Sequence, residues 1–376
     1  MASNVENKMN VILNNVAEPI EEFVITLKDL KELLSEKSNP VAYIGYEPSG
    51  PIHIGYLPGI EKLKELMRIG FKIKVLLADI HAYLNQKGPL EIIKELSITY
   101  WQEIFKSLNL TSAEFILGSD FELDREYVED LLTLSARITV HEAWRAMDIL
   151  AREAENPRVG QYIYPLMQIL DILYLDVDLA IGGTDQRKIH VLAREEFGKK
   201  NIKLNHSVWV PISIHLPILV GITGEKMSGS KPHTHIAVHE QPKQILKKIR
   251  NAFCPPDNVD PDQNPIFSIL RYLIFPYCDK LLVKRPEQYG GDVIYTTFEE
   301  VTKDYLNGKL HPLDLKNTVA EYLIEKLKPA RKRIEEDPDI IVPLAKLQKW
   351  QWEHGYISRA NWEQIKAQYA HYGIRI

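Results

Sequence analysis

Three groups of polar residues in this 376-residue chain have types and spacings suited to phosphate and amine chemistry. The first lies in "YEPSGPIHIGYLPG", residues 46–59. There Gly50, Gly55 and Gly59 remove side chains where a strand-like run meets a helix-like one, so a ligand can reach the backbone N–H groups. His53, flanked by Ile52 and Ile54, is a hydrogen-bond donor suited to a phosphate; the plainer reading is a surface histidine on a Gly/Pro turn. The second group, "GEKMSGSKP" at 224–232, sets Lys226 and Lys231 around Ser228, Gly229 and Ser230. That composition suits a clamp on a polyphosphate, and equally a solvated lysine loop. The third is "YPLMQILDILY", where Tyr164, Gln168 and Asp171 stand at i, i+4 and i+7 on one face of an otherwise apolar helix. A buried hydroxyl, amide and carboxylate need a ligand or an internal network to satisfy them. Gln186, after Gly182 and Gly183, and Tyr43, on the first strand, are placed to join that cavity.

The elements that must carry these groups follow from pattern. A helix is expected near 26–36, then the strand "VAYIGY", a helix over 57–69 and the strand "FKIKVLLADI", which together make a βαβ unit and imply a parallel sheet. Helical periodicity spans 90–108, "EFILGSD" reads as a strand, and helix follows over about 125–153. Next come the helix "YIYPLMQILDILYL", the strand "VDLAIGG", a helix opening on Thr184 and Asp185 as caps, and the strand "LPILVGIT". From about 240 the pattern is mostly helical, at 241–253, 265–275, 297–306 and 312–334. A tail follows that holds Trp350, Trp352 and Trp362, half of the chain's six tryptophans, and so reads as a docked extension.

The net charge of −5 is unevenly spread, with residues 1–239 at −7 and residues 240–334 at +3, which permits a polyanionic partner at the rear. No apolar run approaches a membrane span, no signal-peptide pattern opens the chain, and the two cysteines lack metal-ligand spacing. The expectation is a cytoplasmic protein without a metal site of its own.

Taken together, the His53-x-Gly55 turn after the first strand and "KMSGS" after a late strand resemble the paired signatures of class I aminoacyl-tRNA synthetases. Tyr56 and Gly229 depart from the family pattern, in which a second histidine and a lysine or serine are usual. With "LLADIHAYLNQKG" and "GGTDQRKIHVLARE", most of residues 40–334 resembles the archaeal and eukaryotic tyrosyl-tRNA synthetases. The resemblance implies that Gly50, His53, Gly55, Lys226, Ser228, Gly229 and Ser230 hold ATP, with His53, Lys226 and Lys231 stabilising transition-state charge. Tyr43 and Asp171 would bond the phenolic hydroxyl of L-tyrosine, and Tyr164, Gln168 and Gln186 its ammonium. Arg187 and Lys188 would contact the tRNA acceptor end. Tyr289 of "QYGGD", with His311 and Asp314 of "HPLDLKN", would read the anticodon.

The implied fold is a Rossmann-like parallel-sheet α/β catalytic domain over 1–239, with an inserted dimer segment at about 81–160. A mainly helical anticodon-binding domain with its tail follows over 240–376. The implied reaction joins tyrosine to ATP as tyrosyl-adenylate, with Mg²⁺ travelling on the nucleotide and no permanent cofactor, and then charges tRNA(Tyr) in a homodimer. Three other readings remain: a tryptophanyl-tRNA synthetase, whose indole offers no phenolic oxygen; a nucleotidylyltransferase, which needs no anticodon reader; and an inactive RNA-binding paralogue.

Overall fold

The structure is a computed structural model that describes residues 2–147 and 156–375. The chain forms two compact units. The first comprises Met1–Ser49, Gly59–Gln102 and Asn109–Pro217; the second comprises Gly50–Pro58, Glu103–Leu108 and Ile218–Ile376.

The first unit is built on six strands: β1 (Val24–Ile25), β2 (Val41–Tyr46), β3 (Lys72–Leu77), β4 (Glu114–Leu117), β5 (Leu179–Gly183) and β6 (Ile212–Leu216). Their order is β1-β6-β5-β2-β3-β4, parallel throughout except for the β1–β6 pair. Chain direction across the sheet reverses between β2 and β5, the switch point at which open α/β sheets bind ligands beyond the carboxyl ends of their strands. The helix Val159–Tyr174 crosses from β4 to β5 and buries nine residues, among them Tyr164 and Asp171.

Several sequence expectations shift at this level. "FKIKVLLADI" is a strand only to Leu77, because Asp79 already opens the helix Asp79–Leu84. The expected helix over 125–153 is two, Arg125–Ser135 and Val140–Ala146, the second opened by a Thr139 cap; residues 148–153 lie outside the described residues. Thr184 and Asp185 form a 3-10 turn instead of capping, and the helix proper is Arg187–Phe197. "LPILVGIT" is not a strand, since Pro217 has no N–H for the ladder, and the strand lies just before it. Buried polar residues disguise that strand: His215 Nε2 is 3.0 Å from His190 Nδ1, and His215 Nδ1 is 3.0 Å from the Phe23 carbonyl.

Ahead of the sheet, helix Ala2–Leu13 ends on a fully buried lysine. Lys62 Nζ donates to the carbonyls of Val11 (3.2 Å), Ile12 (3.1 Å) and Asn14, and pairs with Glu65 at 2.7 Å. One ammonium thus satisfies carbonyls that a helix end leaves open.

The second unit is mainly helical, as expected, with helices Pro242–Asn251, Pro265–Ile269, Phe298–Leu306 and Pro312–Glu336. The pattern missed a short antiparallel hairpin, Leu281–Val283 with Val293–Tyr295. Three-residue strands are too brief to show alternation. The tail is ordered as helices Val342–Glu353 and Arg359–His371, with Trp352 and Trp362 stacked at 5.2 Å. Among the described residues no helix is long and apolar enough to cross a membrane.

Candidate functional site

In the first unit, the polar stripe predicted on helix Val159–Tyr174 meets the side chain of Tyr43 from β2. Alternation along β2 sends Tyr43 and Gly45 to one face, and a Cβ on Gly45 would lie 2.7 Å from the Tyr43 hydroxyl. Glycine is needed there for the phenol to lie flat along its own strand. Gly45 is exposed although β2 has neighbours on both sides, which marks an opening at this face. A Cβ on Gly182, at the end of β5, would stand 2.7 Å from Gln186 Cβ, so that glycine admits Gln186.

Asp171 is fully buried. Its Oδ1 accepts from the Tyr127 hydroxyl at 2.8 Å, whereas its Oδ2 accepts no hydrogen bond. Gln168 Nε2 donates to Gln186 Oε1 at 3.0 Å, which leaves Gln168 Oε1 as a second buried oxygen without a hydrogen bond. The structure therefore brings together all five residues of the predicted amino-acid pocket within one unit.

Three residues of this pocket escaped the sequence reading: His81, Glu122 and Tyr127. His81 Nε2 lies 3.5 Å from Asp171 Oδ2, and its Nδ1 lies 3.4 Å from Glu122 Oε1. A Cβ on Gly118 would come within 2.4 Å of the Glu122 carboxyl, so a glycine makes room for it. Burial alone pulls the His81 pKa down, but Glu122, then Asp171 and Glu47, outweigh it and hold it at about 9. Asp171 is pushed well above the usual carboxylate range by burial and by Glu122, against the opposing pull of His81 and Tyr127. Burial, with the neighbouring carboxylates, also keeps Tyr43, Tyr127 and Tyr164 firmly protonated, as donors. His81, Glu122 and Asp171 offer three ligand atoms within 4.8 Å of one another. As the side chains stand, the imidazole lies between the two carboxylates at ion-pair distance of each. His81 sits inside "ADIHAYL" as a polar residue, with Asp79, in an otherwise apolar helix, the one signal available; Glu122 and Tyr127 gave none.

The second unit holds both glycine-rich segments, Gly50–Pro58 and the 224–232 loop. The first is pinned to the strand-like run after the second: Ile54 N–H donates to Ile236 O at 3.0 Å, and Val238 N–H to Ile52 O at 2.9 Å. At their crossing a Cβ on Gly229 would lie 3.3 Å from Pro51 Cδ and 3.6 Å from Gly50 Cα. The unusual Gly229 thus permits close backbone approach. His53 Nδ1 accepts from Gly55 N–H at 3.1 Å, and a Cβ on Gly55 would stand 2.8 Å from the imidazole. Burial lowers the His53 pKa to about 3. His53 is therefore a neutral ring with Nε2–H free to donate, so what it offers a phosphate is a hydrogen bond. Tyr56 packs on it at 4.5 Å between ring centroids. Lys226 and Lys231 are exposed, and the Ser228 and Ser230 hydroxyls lie 3.1 Å apart.

Of the expected tRNA contacts, Arg187 donates from Nε to Glu22 O at 3.0 Å, and Lys188 is exposed. Tyr289 is two-thirds exposed, on a turn closed by Gly290 and Gly291 at positive φ. Arg285 ties that turn to the run before His311, donating to Gly291 O and to Lys309 O, each at 2.9 Å. His311 Nδ1 accepts from Leu313 N–H at 3.1 Å and so caps the helix that carries Asp314. Tyr289, His311 and Asp314 thus belong to one buttressed corner.

The model of the family described as tRNA synthetases class I (W and Y) matches residues 35–328. A tyrosine–tRNA ligase of Methanopyrus kandleri is 46% identical over 333 residues, covering 88% of this chain and 98% of the relative. The crystal structure of a tyrosyl-tRNA synthetase from Archaeoglobus fulgidus complexed with L-tyrosine superposes with a TM-score of 0.79 at 46% identity, over 88% of this chain and 99% of that one. The corresponding Pyrococcus horikoshii complex gives 0.83 at 33% identity, over 91% and 99%. The chain accordingly belongs to the class I tRNA synthetases of the tryptophan and tyrosine group, on its tyrosyl-tRNA synthetase branch.

Proposed function

We infer that the chain is a tyrosine–tRNA ligase whose amino-acid selectivity resides in the pocket around Asp171. The observation that carries this reading is the pair of buried oxygens without a hydrogen bond on one helix face, Asp171 Oδ2 and Gln168 Oε1. Asp171 Oδ2 and the Tyr43 hydroxyl bond the substrate's phenol. Gln168 Oε1, with Tyr164 and Gln186, takes its ammonium. A site built to bond a hydroxyl rejects the analogue lacking it by roughly ten-thousand-fold or more, because its own polar groups are then left unpaired; that magnitude is the one established for a tyrosyl-tRNA synthetase.

The tyrosine carboxylate attacks the α-phosphorus of ATP. A carboxylate–phosphorus bond forms while the bond to pyrophosphate breaks, so no side-chain nucleophile is required. Neutral His53 donates from Nε2–H to phosphate oxygen, and Lys226 and Lys231 supply the positive charge as negative charge develops. Gly50, Gly55, Ser228, Gly229 and Ser230 line the nucleotide's approach with backbone and hydroxyl donors. Mg²⁺ accompanies the phosphates of ATP, with no protein ligand assigned to it. The 3′-end ribose of tRNA(Tyr) then accepts the tyrosyl group, with Arg187 and Lys188 at the acceptor end and Tyr289, His311 and Asp314 at the anticodon. The ligase works as a cytoplasmic homodimer through the 81–160 segment, with a catalytic domain over 1–239 and an anticodon domain over 240–376.

The test is ATP–pyrophosphate exchange without tRNA, run separately with tyrosine, tryptophan and phenylalanine. Exchange with tyrosine alone, lost in Asp171→Ala, is expected. Exchange with tryptophan, or a fully active Asp171→Ala variant, overturns the assignment.

A further inference from the structure

The family model ends at residue 328, and the M. kandleri relative is matched over nearly all of its own length while covering 88% of this chain. The helices Val342–Glu353 and Arg359–His371 lie beyond the matched family region, yet they are tightly seated within the second unit. Trp362, Ile365, Tyr369 and Tyr372 recur at helical spacing and are all buried. Their seat is the segment just after the 224–232 loop. His239 stacks on Tyr369 at 6.3 Å and its Nε2 lies 3.1 Å from Gln368 Oε1. The Tyr372 hydroxyl donates to His239 O at 2.5 Å and accepts from Gln241 Nε2 at 3.1 Å.

From that seat the last helix reaches the loop itself. Ser358 caps the helix by accepting from Asn361 N–H at 3.3 Å, which orients the first turn. Asn361 Nδ2 then donates to the carbonyl of Ser230 at 3.1 Å. The base of the loop is fixed separately, by Lys248 Nζ donating to Pro232 O at 2.6 Å and His235 O at 2.9 Å. At the serine–glycine tip the Ser228 and Ser230 hydroxyls bond each other and Ser228 N–H donates to Thr234 Oγ1, while the tail holds the Ser230 carbonyl.

We propose that the C-terminal extension is an intramolecular brace for the 224–232 loop, with Asn361 as the positioning residue that holds Ser230, and through it Lys226 and Lys231, in an ATP-binding conformation. The ATP part of this proposal rests on the function inferred above; the brace does not. A neutral hydrogen bond of this kind shifts a local opening equilibrium by about three- to tenfold.

The test uses the full chain with Asn361→Ala, the near-isosteric Asn361→Asp, which turns a donor into an acceptor facing a carbonyl, and Asn361→Gln, which keeps the amide. Tryptic cleavage after the exposed Lys226 reports loop opening without any reference to catalysis. Cleavage about three- to tenfold faster in the Ala and Asp variants is expected, with a matching rise in the KM for ATP. The KM for tyrosine and the melting temperature should hold, and Asn361→Gln should lie nearer the parent. Parental cleavage and parental ATP KM in both Asn361→Ala and Asn361→Asp overturn the brace. Faster cleavage with an unchanged ATP KM, together with full exchange activity in Lys226→Ala, instead overturns the loop's part in ATP binding and leaves the brace standing.

Discussion

Tyr127→Phe removes one oxygen from a fully buried ring and leaves its packing in place, because Tyr174 and Phe121 hold the ring edge-on at 4.8 and 5.6 Å. What disappears is the 2.8 Å bond to Asp171 Oδ1 and a 3.1 Å bond to Met167 O. A buried acceptor that loses its hydrogen bond has no water to turn to, which costs about 1–3 kcal/mol. Tyr127 is also one of the two groups that oppose the rise of the Asp171 pKa, so its loss drives that carboxyl further toward the protonated form. The expected outcome is a loss of about 1–3 kcal/mol in unfolding free energy. If half of that interaction serves to aim Oδ2 at the substrate, the KM for tyrosine rises about two- to tenfold, since about 1.4 kcal/mol is a factor of ten. Urea unfolding and tyrosine-dependent ATP–pyrophosphate exchange measure the two effects separately. A stability loss with an unchanged tyrosine KM would refute the reasoning, making Tyr127 a packing residue and removing Asp171 from the phenol contact.

Two further outcomes follow from buried charge. Lys62→Met strips the donor from three carbonyls and leaves Glu65 without its partner; a loss of about 3–5 kcal/mol in denaturant unfolding is expected, and a change below about 1 kcal/mol would show the ammonium to be dispensable. In acid, burial depresses His53 to about 3, His215 and His239 to about 4, and His190 and His235 well below the ordinary 6.5. These rings are neutral in the fold, so their contribution is complete above about pH 6.5 and lost as pH falls toward 4. His81 works in the opposite sense: held at about 9, its contribution is complete below 6.5 and lost as pH rises through 9. Melting temperatures between pH 4.5 and 9.5 should fall on both sides of a maximum near neutrality, and a flat profile from pH 7 to 5 contradicts the buried-histidine account.

What the sequence determined by itself was local. Periodicity marked the βαβ start and the helix Val159–Tyr174, and i, i+4, i+7 spacing placed Tyr164, Gln168 and Asp171 on one face, because helical geometry alone decides which residues share a side. Glycines at 45 and 118 went unread, and those at 182 and 229 were noted without the atoms they admit, because those atoms belong to side chains or backbone that chain folding brings to each. Tertiary structure alone joined His81, Glu122 and Tyr127, from three separate helical segments and turns, to the Asp171 carboxyl. It also set the His53 ring as neutral, since burial is a property of the packed site and no spacing encodes it. The tail's role was the least legible, because its tryptophans announced a docked helix without saying where it docks. The hydrogen bond from Asn361 to Ser230 spans 131 positions of chain, and only the packed fold sets such a contact.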